Sequence, residues 1–332
     1  MGQVILVVGG AGYIGSHALL ALRERGREIL VLDDISEGHL QALHGVPLAR
    51  GSILDNDFVQ DVFRSHDIGA VFHFAARCYV GESVTDPGIY YRHNVAGTLN
   101  MLDAMAATGV KRFVLSSTCA TYGEPPSVPI TEDMPQVPIN PYGRTKLACE
   151  WMLRDFHTAH GLQFVSLRYF NAAGADPQGR VGEDHDPETH LIPLVINATL
   201  GRRAAVTVFG DDYDTPDGTC IRDYIHVTDL AEAHVRALEA MEAGKIDTAA
   251  FNLGSEQGSS VLEVIQSVER IGGREVPYVI GDRRAGDPPR LVGSSARIAE
   301  ALGWRPQLGN IDQIVETAWA WHEAHPLGYD DA

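Results

Sequence analysis

The run Val4-Ile5-Leu6-Val7-Val8-Gly9-Gly10-Ala11-Gly12-Tyr13-Ile14-Gly15 decides the fold. Five apolar residues in succession make a strand buried on both faces, and the glycines after them end it. Gly9, Gly12 and Gly15 lie three apart, and Gly10, Gly12 and Gly15 also satisfy GxGxxG. A loop of this kind turns tightly, lets the backbone approach a pyrophosphate, and sets phosphate on the N-terminus of the next helix, here Ser16–Arg25. Asp33 closes the following apolar run, 18 residues after Gly15. A carboxylate there accepts hydrogen bonds from adenosine ribose hydroxyls and repels a 2′-phosphate, so Asp33-Asp34 favours NAD over NADP.

Outward from this unit, apolar runs recur at Ile29–Leu32, Ala70–Phe74, Phe113–Leu115 and Phe164–Leu167. Helix-length stretches, Tyr90–Ala107 and Tyr142–Ala159 among them, lie between. In the first of these, Val95, Leu99 and Leu102 recur at intervals of three and four, as an amphipathic helix requires. The alternation predicts an α/β fold with a doubly wound parallel sheet of the Rossmann type over residues 1–170. After Asn171 loops rich in Asp, Pro and Gly separate smaller elements. Residues 171–332 are therefore expected to form a smaller α/β substrate domain, with some interchange of chain and a ligand cleft between the two.

Composition removes other classes. The chain of 332 residues carries 26 Lys and Arg against 44 Asp and Glu, a formal charge of -18. Such a field repels nucleic-acid backbones and anionic lipid, so neither nucleic acid nor membrane is an expected partner. No stretch approaches the ~20 apolar residues of a membrane span, and no targeting segment is evident. Cys78, Cys119, Cys149 and Cys220 form no CxxC pair, which fits reduced thiols and a cytoplasmic protein. His185 between Asp184 and Asp186 could suggest a metal site, but an acidic turn needs no ion and no metal is expected.

Three side chains suggest chemistry. Tyr142 and Lys146 are four apart at the start of a helix after Asn140-Pro141, so they share a face. A phenol with a reference pKa of ~10 is a poor base at neutral pH. A nearby ammonium and an oxidised nicotinamide would both favour the phenolate. Thr118 follows the strand Phe113–Leu115 closely, where ligands lie in such sheets, and its hydroxyl could share a substrate oxygen with Tyr142.

Together with His73-Phe74-Ala75-Ala76, Asn94-Val95-Ala96-Gly97-Thr98, Leu167-Arg168-Tyr169-Phe170-Asn171, Gly218–Val227 and Arg284-Ala285-Gly286-Asp287, these motifs cover nearly the whole chain. The chain resembles the extended short-chain dehydrogenase/reductase family, and within it the nucleoside-diphosphate-sugar 4-epimerases. The resemblance implies NAD-dependent, reversible inversion at C4 of UDP-glucose and UDP-galactose through a transient 4-keto sugar. Tyr142 would be the base, Lys146 its support, and Thr118 the second hydroxyl. Cofactor contacts would come from Gly9, Gly12, Tyr13, Ile14, Gly15, Asp33, Asp34, Ile53, Phe74, Ala75, Ala76, Asn94, Tyr142, Lys146 and Phe170. UDP-sugar contacts would come from Thr118, Asn171, His190, Leu191, Phe209, Arg222, Arg284 and Asp287. Leu291, just beyond the Arg-x-Gly-Asp motif, would line the sugar pocket, unless it is simply a core residue of its strand. A homodimer built on the helices within Tyr90–Ala107 and Tyr142–Ala159 is implied as well. Ser52 and Cys78 depart from the family, standing where many relatives have Asp and Lys.

The sequence keeps two other readings open. A UDP-pentose 4-epimerase shares the mechanism and these motifs. A non-catalytic NAD-binding protein on the same fold would not need Thr118, Tyr142 and Lys146. The 4,6-dehydratases place an acidic pair after the catalytic Thr; here Cys119-Ala120 follows Thr118.

Overall fold

The computed structural model describes residues 3–284 and 288–329. Its centre is a seven-stranded sheet in the order Thr248–Leu253, Gln163–Tyr169, Arg112–Thr118, Ile68–His73, Val4–Val8, Ile29–Asp33, Leu48–Arg50. Every neighbouring pair is parallel. The chain winds from Val4–Val8 to one edge, then returns through Ile68–His73 to the other. The order thus reverses between these two strands, and the crevice beyond their carboxyl ends is where doubly wound sheets take ligands.

Alternate residues of each strand feed two cores. Ile5, Val7, Val31, Phe72 and Val114 face helices Tyr13–Glu24 and Val227–Glu242, packing on Leu19, Leu22, Leu230 and Leu238. Leu6, Val8, Leu32, Val71 and Leu115 face the opposite layer, against Met101, Leu102, Met105 and Leu153. Both faces are covered, which explains runs of unbroken apolar residues. A third cluster, with Ile192, Val195, Val264, Ile265, Ile314 and Trp319, holds the C-terminal elements together.

Except for Val4–Val8, the observed strands are longer than the apolar runs that announce them. Arg112–Thr118 and Gln163–Tyr169 extend into polar residues that the apolar signal omits. Two sheet strands give no such signal. Leu48–Arg50 is three residues long at the edge, and Thr248–Leu253 arrives from the second half of the chain.

The expected helix over Tyr90–Ala107 is not continuous. Pro87–Tyr90 and Gly97–Thr108 are α-helical, but Tyr91–Ala96 between them takes the wider π form. The wide turn carries the buried Asn94, whose Oδ1 accepts from Arg77 N at 2.8 Å. Its Nδ2 donates to Arg77 O and to Thr145 Oγ1, both at 3.0 Å. A π turn inserted in an α-helix commonly marks a functional position, and here it ties the loop after Ile68–His73 to the helix bearing Tyr142.

Candidate active site

The glycine loop is shaped by backbone contact. A Cβ on Gly9, whose φ is +81°, would lie 2.5 Å from Ala75 N, and one on Gly15 would lie 2.1 Å from Gly9 O. The first lets the strand Val4–Val8 pass close to the Phe74-Ala75 segment, and the second lets the helix start against the turn. Gly12 is the N-cap of helix Tyr13–Glu24 and provides no side-chain cap. The helix N-terminus therefore presents its amides and its partial positive charge to a phosphate.

Asp33 is fixed across this loop. Its Oδ2 accepts from Ala11 N at 3.0 Å and its Oδ1 from Ile35 N at 2.8 Å. Burial raises its pKa, the two amides oppose the shift, and neighbouring Asp34 adds to it. Tyr13 turns its hydroxyl away, donating to Gly174 O at 2.6 Å. The loop and the Asp33 carboxylate have the donors, shape and charge that a dinucleotide requires, and the residues present fit NAD.

Helix Pro141–His160 positions the reactive pair. Asn140 caps it, accepting from Gly143 N at 2.8 Å, and Pro141 occupies the first turn. Tyr142 accordingly sits at the start of the helix, beside the end of strand Arg112–Thr118, where the Thr118 hydroxyl is near enough to act on the phenol. Thr118 Oγ1 also accepts from Ala120 N at 3.1 Å, which fixes its rotamer. Lys146 is buried, one turn on, and donates from Nζ to Ser116 O at 2.9 Å.

The phenol does not behave as its spacing from Lys146 suggests. Burial pushes Tyr142 upward, Cys78 and Tyr169 push it further, and the neighbouring Thr118 hydroxyl opposes them. Burial also lowers Lys146. Desolvation is the largest influence on both groups, so a low phenol pKa is not a property of the protein alone.

Behind this pair lies a network that motif reading missed. Glu150, four residues after Lys146, receives Arg168 Nε at 2.9 Å, Arg168 Nη2 at 2.6 Å and Ser117 Oγ at 2.6 Å. Arg168 Nη1 donates to Tyr122 Oη at 2.7 Å, and Tyr122 donates to Asn252 Oδ1 at 2.7 Å. These bonds clamp the helix to three strands. The available signal was Arg168 itself, a charge inside an otherwise apolar strand, which demands a partner.

Other expected contacts divide. Phe74 and Ala75 stand at the switch point, with their amides donating to Val8 O at 2.8 and 3.0 Å. Ala76 follows in the same loop. Ile53 points its side chain into the core, where a Cβ on Gly97 would lie 2.4 Å from it, and its carbonyl accepts from Asn100. The Ile53 side chain is thus packed against Gly97 in the core. Asn94 spends its amide on protein, holding the Arg77 backbone rather than reaching outward.

Phe170 and Asn171 follow strand Gln163–Tyr169, and Asn171 Nδ2 donates to Asp223 O at 2.8 Å. Arg222 donates to Pro288 O at 2.9 Å and pairs through its backbone with Leu291. Leu291 is half-buried, whereas Val292 carries the core contact of that strand. Arg284 lies 3.9 Å above the Phe209 ring. Asp287 is outside the described residues. His190 caps helix Leu191–Thr199 by backbone alone and sits beside Glu183, His185 and Glu188. The sequence points to Asp184 and Asp186 as the acids near His185. Asp184 instead accepts from Tyr329 N at 2.8 Å, and Asp186 is exposed.

A glycine loop at the switch point, an acid closing the second strand and a Tyr-x-x-x-Lys helix form the site of a nucleotide-dependent oxidoreductase-type fold. The chain matches the NAD dependent epimerase/dehydratase family over residues 5–254 and belongs to it. Within that family its relatives include a UDP-glucose 4-epimerase of Halalkalibacterium halodurans, 51% identical over 327 residues and covering 98% of each chain. The UDP-glucose 4-epimerase of Brucella ovis, solved in complex with NAD, is 50% identical over 96% of this chain and 98% of its own, with a TM-score of 0.94. That of Bifidobacterium longum, solved with NAD+ and UDP, is 37% identical over 98% of this chain and 100% of its own, with a TM-score of 0.92.

Proposed function

We propose that this chain interconverts UDP-glucose and UDP-galactose by NAD-dependent inversion at C4, through a transient 4-keto sugar. The observation that carries the reading is the convergence of Thr118, Tyr142 and Lys146 beside the glycine loop. Relatives about half identical over nearly the full chain bear the same activity in their names.

Bound NAD supplies a reversible hydride acceptor for C4. Tyr142 takes the proton of the 4-hydroxyl and returns it to the 4-keto oxygen, acting as base and then as acid. Thr118 holds the same oxygen through its hydroxyl. Lys146, anchored by Ser116 O, keeps a positive charge one helical turn from the phenol. Burial raises Tyr142, and positive charge brought beside it favours loss of its proton. The base is thereby coupled to a loaded site.

Residues 1–170 supply the cofactor side and residues 171–332 the UDP-sugar side, with Val227–Leu253 returned to the central sheet. Arg222 and Arg284 suit a diphosphate because guanidinium forks match its oxygens. Leu291, half-buried beside Arg222, sets the sugar size: a hexose or pentose is accepted and a 2-acetamido sugar is crowded. A coupled assay tests this, with UDP-galactose turned over well and UDP-N-acetylgalactosamine poorly. Leu291→Gly should raise kcat/KM for the acetamido sugar while changing that for UDP-galactose little. No turnover of any UDP-sugar would leave a non-catalytic NAD-binding protein as the reading.

The assembly is a homodimer built on helices Gly97–Thr108 and Pro141–His160, where Leu99 and Trp151 are exposed. Light scattering on the parent and on Trp151→Glu tests it, the variant being expected as a monomer. No helix among the described residues is long and apolar enough to cross a membrane. All four cysteines are thiols, which suits a reducing cytoplasm.

A further inference from the structure

We propose that Glu183, His185, Glu188 and His190 form a closed site for one divalent transition-metal ion of the zinc type, beside the glycine loop. Each residue directs one ligand atom inward, and the four atoms lie within 4.8 Å of one another. His185 Nδ1 is 3.3 Å from Glu183 Oε1 and 3.6 Å from Glu188 Oε2. His190 Nδ1 is 2.9 Å from both Glu183 Oε1 and Glu188 Oε1. In a tetrahedral site with ligands ~2.0–2.1 Å from the ion, ligand atoms lie ~3.3–3.4 Å apart. The two distances to Glu183 Oε1, 3.3 and 2.9 Å, and one of those to a Glu188 oxygen, 3.6 or 2.9 Å, belong to a single ligand set and lie about that edge.

The second observation is an absence of hydrogen bonding where it is expected. Glu183 is 4% exposed, yet its Oε1 makes no hydrogen bond, and neither does His185 Nδ1. Both atoms are sealed from solvent, and a buried polar atom without a partner is costly. His190 Nδ1 hydrogen-bonds to Glu188 Oε1 at 2.9 Å, whereas the nitrogens near Glu183 Oε1 are close enough but wrongly directed, as atoms are when they face a common centre instead of one another. The two carboxylates carry two negative charges, which one divalent ion balances while both imidazoles stay neutral and free to ligate.

Two imidazoles and two carboxylates suit zinc better than magnesium or calcium, which prefer all-oxygen shells of higher coordination. With four protein ligands the site has no open position, so its role is structural. It would pin the 183–190 segment between Tyr13, whose ring is 6.1 Å from that of His185, and helix Leu191–Thr199. Ligation through Nδ1 would also fix His190 as a donor at Nε2. The site shares His190 with the expected UDP-sugar contacts, but its test reads metal binding and not turnover.

The test uses untagged full-length protein, stripped with a chelator and titrated calorimetrically with Zn2+, with Mg2+ as control. One Zn2+ per chain is expected, with thermal stability lowered by stripping and restored by Zn2+. Co2+ in its place should give the intense visible absorption of a tetrahedral site. His185→Gln and Glu188→Gln, each checked for folding by circular dichroism, should weaken Zn2+ binding by about 100-fold or more. If one variant fails to fold, the other carries the comparison. Absence of saturable one-to-one binding, or parental affinity in a folded variant, would overturn the site and leave two imidazolium–carboxylate pairs.

Discussion

A tyrosine four residues from a lysine is ordinary on a helix; Tyr142 and Lys146 differ because Ser116 O holds the ammonium and Thr118 neighbours the phenol, both at one strand terminus. Tyr142→Phe keeps the packing and deletes the proton carrier, so kcat should fall by about 10²–10⁴ while NAD content is unchanged. Rates and cofactor absorbance on the purified variant check both. Lys146→Met should move the limb along which activity rises with pH to higher pH, because the phenolate loses a cation. An unmoved profile would separate the pair. Asp33→Ser should narrow the preference for NAD over NADP by about tenfold or more, since a like-charge contact of ~1–4 kcal/mol is removed. It should weaken NAD as well, because the carboxylate also braces the amides of Ala11 and Ile35. These residues were legible because their meaning lies in short spacings. The four-residue cluster at 183–190 is also local, but sequence order points to Asp184 and Asp186, and only the fold shows which acids turn inward.

At the scale of elements, the catalytic helix is held at two places. Asn140→Ala removes the cap two residues before Tyr142 and should cost about 1 kcal/mol, read as a lower denaturation midpoint, with kcat reduced as the first turn frays. Glu150→Gln leaves the Arg168 charge buried without its counterion and should cost about 3–5 kcal/mol in the same measurement. The cap could be read from Asn140-Pro141. The clamp could not, because Glu150 and Arg168 belong to different elements and meet through packing. The π turn at Tyr91–Ala96 escaped for a related reason: the apolar spacing there suits an ordinary helix, and the wider form is stabilised by Arg77 and Thr145, which lie elsewhere in the chain.

Across the whole molecule, Asp223 joins parts that the motifs treat separately. Its side chain accepts from Ser255 N at 2.8 Å and Gly293 N at 2.9 Å, and its carbonyl accepts from Asn171. Burial pushes its pKa up to about 6 from an ordinary 3.8, against the hydrogen bonds. The folded state therefore holds this proton where the unfolded chain has lost it. The stability so gained is present at low pH and disappears as pH rises from about 4 to 6. The difference in stability between the parent and Asp223→Asn should thus fall across that window, by about 2–3 kcal/mol, and stay flat above it. The sheet itself was legible for five of its seven strands, through runs that are apolar on both faces. Thr248–Leu253 was not, because its affiliation with Gln163–Tyr169 is a fact of topology. That late strand bears on how the protein is made. Until residue 253 has left the ribosome, Gln163–Tyr169 is an uncovered edge rich in β-branched and aromatic side chains, open to any passing strand. The nascent chain must grow some eighty residues further before its own cover exists.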